Sequence, residues 1–100
     1  MKTDKELLIL AANAAGFNSF DGHALQMIDS GWNPLTDDGD ALRLVVDLDI
    51  TLAQLQYSTE CVYYIDGDEF DPIHERHSND KHAATRRAIV RAAAAIGEGM

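Results

Sequence analysis

The sequence predicts one α+β domain spanning residues 1–100: three helices around a small, mainly antiparallel sheet of about three strands. Three observations carry that prediction. Capped apolar stripes at helical spacing stand at both ends of the chain and in its middle. Between them lie short runs rich in strand-forming residues. Two of those runs are joined by a connection short enough for a hairpin, which makes their pairing antiparallel. At 100 residues, with 46% hydrophobic and 25% charged side chains, the chain suits a single globular core.

Thr3-Asp4-Lys5-Glu6 has the form of a capping box, in which each side chain satisfies the other residue's backbone amide. Leu7, Leu8, Leu10, Ala11, Ala14 and Ala15 continue as one apolar face, and Gly16 is a natural terminator on which Phe17 folds back. The first helix is therefore expected over 4–15. Asn18 to Gly22 is turn chemistry, and His23 to Asp29 reads as an imperfectly alternating strand. Trp32 precedes Asn33-Pro34, where extended geometry is favoured, and is expected in the core.

GWNPLTDDGDALRLVVDL, residues 31–48, crowds Asp37, Asp38 and Asp40 around Gly39. A calcium loop needs ligands at alternate positions closed by a glutamate at the twelfth, and counting from Asp37 that position is Leu48. The same acids are what a helix start favours, because free amides and the helix dipole stabilise negative charge there. Thr36 or Asp37 is the expected N-cap, followed by a stripe of Ala41, Leu44, Val45 and Leu48, widened by Leu42 and Val46.

Leu52–Tyr57 and Cys61–Ile65 read as strands, with Ser58-Thr59-Glu60 as the hairpin loop and Asp66-Gly67 as a following turn. Residues 66–80 are polar and turn-rich, with Phe70 and Ile73 as anchors to the core. Asn79 or Asp80 caps a last, alanine-rich helix over 81–96 that buries Ile89, Ala92, Ala93 and Ile96 and ends at Gly97.

The net charge is −9, and it is unevenly spread: residues 1–80 carry 16 carboxylates against 4 bases, residues 81–100 carry 4 bases against Glu98. Such a body repels nucleic acid and anionic membranes and suits basic protein surfaces. The C-terminal arginines are expected to pair with the acidic body from a solvated helix face. Cys61 stands alone, excluding an intrachain disulfide, and its apolar surroundings suit a buried thiol rather than a nucleophile. No secretory leader pattern is seen, and no apolar run approaches the ~20 residues of a membrane span.

Oxygen and imidazole ligands gather only at Asp66, Asp68, Asp71, His74 and His77, a weak candidate for Zn²⁺ or Mn²⁺. The spacing matches no zinc signature, and the same residues serve turns, so neither a metal nor another cofactor is expected. On a helix His74 and His77 would share a face. Arg87 and Arg91, four apart beside His82 and Arg86, form a second cluster able to grip a phosphate or carboxylate. Of Tyr57, Tyr63 and Tyr64, the last two point to opposite faces of a strand, so one is exposed as a contact anchor. No phosphate loop, nucleophile elbow or catalytic triad spacing appears, so an enzyme is not expected.

WNPLTDDGDALRL (32–44) followed by HAATRRAIVRAAAAIG (82–97) resembles small uncharacterised proteins encoded by tailed phages and prophages, nearest the NinX-like proteins and the phage α-β-α sandwich domain. The matching positions are Trp32, Asn33, Pro34, Asp40, Ala41 and 83–96, and the chain departs from the pattern at 66–80. The resemblance implies a phage accessory protein in the cytoplasm of an infected bacterium; it brings no activity and no catalytic residues.

The functional expectation is a binding protein that docks on a basic host or phage protein, modulating a nucleic-acid-handling or defence component. Asp66, Asp68, Glu69, Asp71, Tyr63, Arg87 and Arg91 are the expected contact residues, and a homodimer is compatible with this reading. Two alternatives are a metal-dependent enzyme built on 66–77 and a DNA-binding regulator built on the last helix.

Overall fold

Residues 2–17 and 22–99 are described by a computed structural model. Helix α1 is Asp4–Ala14, α2 His23–Asp29, α3 Asp38–Asp47 and α4 Lys81–Glu98; the strands are β1 Thr51–Gln54, β2 Ser58–Val62, β3 Tyr64–Ile65, β4 Asp68–Glu69 and β5 Ile73–Arg76. The α+β class holds, but the described residues form four helices where three were expected.

The extra helix is α2, read from the sequence as a strand. Its residues are mostly good helix formers, and Ala24, Met27 and Ile28 stand at i, i+3 and i+4 on the side that packs toward α1. Gly31, at a φ of 108°, then terminates it: the Gly31 amide bonds to the Ile28 carbonyl and the Trp32 amide to that of Met27, a Schellman ending. α1 ends in the same way at Gly16 and Phe17, as the sequence suggested. Of the turn expected at 18–22, residues 18–21 lie outside the described residues.

The capping box of α1 forms in full, Glu6 amide to Thr3 hydroxyl at 3.1 Å and Thr3 amide to Glu6 carboxylate at 3.2 Å. That second bond holds the Glu6 carboxyl below its ordinary pKa. At α3 the acids act as a helix start. Asp37 accepts from the Asp40 amide at 2.8 Å. Asp40 in turn accepts from the Asn33 amide at 3.0 Å and from Arg43 at 2.6 Å. Of the widened α3 stripe, Ala41 and Leu44 are buried, whereas Leu42 and Val46 are 60% and 65% exposed.

β1, β2 and β5 form an antiparallel sheet in the order β1-β2-β5, and β3 and β4 form a separate antiparallel pair. Two stretches expected as loops contain strands. Ser58, Thr59 and Glu60 belong to β2, opposite β5 on one side and, for Thr59 and Glu60, β1 on the other, and the chain reverses instead at Gln56 and Tyr57. The stretch 66–80 is not simply a loop: it contains β4 and β5. The Asp66-Gly67 turn is as expected, with both residues at positive φ, 53° and 84°, the geometry that suits a two-residue hairpin turn. Phe70 stacks on Tyr63 at 5.4 Å but stays 41% exposed, while Ile73 packs on the core.

α4 is the central element, packed against α1, α3, β2 and β5. That explains its composition. Ala84, Ala88, Ala92, Ala93 and Ala94 are all buried around Ile89 and Val90, because alanine lets several elements approach one helix closely. Asp80 caps the helix, accepting from the Ala83 amide at 3.0 Å. Gly97 does not end it. It is buried inside the last turn, and a Cβ there would stand 2.0 Å from the Leu10 carbonyl oxygen of α1. Trp32 lies partly buried against this core with its edge on Phe17 at 5.6 Å.

Candidate functional site

The five weak metal candidates are not brought together. Asp66 sits in the tight turn, Asp68 in β4 and Asp71 beyond it, all exposed. On a strand, residues three apart face opposite ways. His74 accordingly points outward, 3.6 Å from the Glu60 carboxylate, and His77 turns inward and is buried. Among the described residues, no three His, Cys, Asp or Glu side chains converge as cation ligands.

The arginines of α4 are engaged inside the molecule. Arg86 reaches Asp38 at 2.7 Å and the Leu35 carbonyl at 2.8 Å. Arg87 pairs with Asp4 at 2.9 Å, and Arg91 with Glu75 at 2.6 Å, so the two do not form an open anion fork. Lys2 pairs with Glu98 at 2.8 Å and Arg43 with Asp40, leaving Lys5, Arg76 and Lys81 as the bases without an ion-pair partner among the described residues.

Four exposed carboxylates of the β3–β4 region, Asp66, Asp68, Glu69 and Asp71, have no cationic partner among the described residues. Glu69 accepts from the Tyr64 hydroxyl at 3.3 Å. Tyr64 and Phe70 are each 41% exposed beside them, and Tyr63, expected as the contact anchor, instead packs on the core. Tyr64 shares its face of the pair with Glu69, whereas Phe70, stacked on Tyr63, lies on the other face.

A second feature was missed in the sequence. Thr59 is fully buried between the sheet and α4, with its hydroxyl 2.8 Å from Gln54 Oε1, 2.9 Å from His77 Nε2 and 3.0 Å from Thr85 Oγ1. Gln54 Oε1 accepts only, so His77 Nε2, 3.1 Å away, carries a proton and donates. Gln54 Nε2 donates to Thr85 at 2.7 Å, and the Thr85 hydroxyl donates to the Lys81 carbonyl at 2.8 Å. Every member is satisfied, which makes this a clasp between β1, β2, α4 and the residue that follows β5. The signal available in the sequence was alternation: Thr59 and Cys61 share a strand face. Reading 58–60 as a loop concealed it.

Cys61 lies fully buried, and burial followed by the Glu60 charge pushes its thiol up to about 12, away from nucleophilic use. No helix among the described residues is long and apolar enough to cross a membrane. Compared with protein-family models, curated proteins and solved structures, the chain matches none.

Proposed function

We propose that this protein is a binding module that docks on a basic protein surface through its β3–β4 hairpin. One observation carries the reading: Asp66, Asp68, Glu69 and Asp71 are exposed and have no cationic partner among the described residues, while five of the eight bases are tied up in ion pairs. These carboxylates steer a basic partner, and Tyr64, exposed beside Glu69, supplies the aromatic contact that holds it. The phage resemblance adds an infected bacterial cytoplasm as the setting, with a nucleic-acid-handling or defence protein as the partner. A DNA-binding role gains no support from α4, whose three arginines face carboxylates or carbonyls of the same chain.

The test is affinity capture from bacterial lysate at low and at moderate salt. It compares the native chain with an Asp66→Asn, Asp68→Asn, Glu69→Gln, Asp71→Asn variant. A basic partner captured by the native chain, released by salt and lost in the variant, is the expected result. Capture of nothing at either salt, or equal capture by both chains, sinks the reading.

A further inference from the structure

In a chain with 17 carboxylates, one open cleft of about 780 Å³ is lined by none among the described residues. It lies at the Ser58 end of β2, the end opposite the β3–β4 hairpin, between the Gln56-Tyr57 reversal and the link from β5 to α4. Arg76 and Lys81 both line it, and they are two of the three bases without an ion-pair partner among the described residues. The neighbouring carboxylates are turned elsewhere: Glu75 to Arg91 at 2.6 Å, and Asp80 to the Ala83 amide at 3.0 Å. Ser58, Ser78 and Asn79 add neutral hydrogen-bonding groups, and Tyr57, 74% exposed, adds an aromatic face. His77 forms part of the floor and is fixed there by its bonds to Thr59 and Gln54.

We infer that this cleft binds a small phosphomonoester: Arg76 and Lys81 hold the phosphate, and Tyr57 stacks on the planar group the phosphate is attached to. A guanidinium offers paired donors to phosphate oxygens, and an ammonium adds a point charge. Within so acidic a molecule, two cations with no carboxylate beside them among the described residues are an arrangement that an anion completes. The ester, rather than free phosphate, is favoured by the exposed ring beside the cations. The inference does not rest on the docking hairpin, since the two lie at opposite ends of β2.

The test is titration of the folded protein with phenyl phosphate and, separately, with inorganic phosphate, followed by amide chemical shifts. Saturable shifts confined to residues 56–58 and 76–81 are expected, with phenyl phosphate tighter than inorganic phosphate. Arg76→Gln and Lys81→Gln should each weaken both ligands by about tenfold. Tyr57→Ala should weaken only the aryl ester. Lys5→Gln changes the net charge equally but lies outside the cleft, and should leave both affinities unchanged. Absence of saturable shifts, or equal weakening by Lys5→Gln and Lys81→Gln, overturns the inference. Equal affinity for the two ligands with Tyr57→Ala silent overturns the ester and leaves a site for free phosphate.

Discussion

Thr59 shows how a residue's role is set by neighbours far away in sequence. Its hydroxyl meets His77, 18 residues on, and Thr85, 26 residues on, so no local pattern announces the contact. Thr59→Val keeps the shape but removes the hydroxyl that bonds both His77 and Gln54, which keep only their bond to each other and that of Gln54 to Thr85. A loss of about 0.5–1.5 kcal/mol in denaturant unfolding is expected, and an unchanged midpoint would show the clasp to be dispensable. Caps are the opposite case. Thr3, Asp37 and Asp80 act on amides within three residues, which is why those ends were legible. Cys61 gives a second residue-level prediction. Its thiol titrates at about 12 in the fold, against 9.0 when unperturbed, so the folded state retains a proton that the unfolded chain loses. Stability from this group is complete below pH 9 and falls as pH rises through the interval up to about 12. Alkaline unfolding of Cys61→Ala should lack that component, and native Cys61 should resist thiol reagents until the protein unfolds.

Among the elements, α4 and its junction with α1 matter most. Gly97 allows the two helices to touch backbone to backbone, so Gly97→Ala must push them apart. The expected cost is about 1–3 kcal/mol, read from unfolding midpoints. Gly99→Ala is the comparison: its added carbon would crowd the Ile65 side-chain tip, at 2.8 Å, which can rotate away, and would meet the Ala95 and Ile96 carbonyl oxygens at an ordinary 3.6 Å, so a smaller loss is expected. Equal losses would mean that the close approach at Gly97 is unimportant. Helix-terminal glycines are the commoner pattern, and so Gly97 read as a stop; only the position of α1 reveals its use. α1, α3 and α4 were legible because each pairs a cap with a periodic stripe. α2 was not, since seven residues barely span two turns and its stripe is half-exposed. β4 and β5 were hidden because they are short and polar, held by pairing with β3 and β2 rather than by their own apolar pattern.

At the scale of the whole molecule, charge is organised more than composition suggests. Bases from α4 fasten α1, α3 and β5 to the central helix, while the hairpin carboxylates stay outside that arrangement. The surplus of acids was countable in the sequence; which acids remain unpaired was not, because pairing depends on distances such as Arg87 to Asp4 across nearly the full chain. Solubility follows from the same surplus. With a pI near 4.6, mutual repulsion between copies fades on acidification.

β1 is a sheet edge with a strand neighbour on one side only among the described residues, and Leu52 and Leu55 near it are 37% and 45% exposed. Such a margin offers a seam to which another copy can be stitched once electrostatic spacing is gone. Light scattering should therefore detect ribbon-like growth near pH 4.6 and little at neutral pH. Ala53→Lys, placed on that margin, should delay the growth, and a variant that assembles as readily as the parent would locate the seam elsewhere.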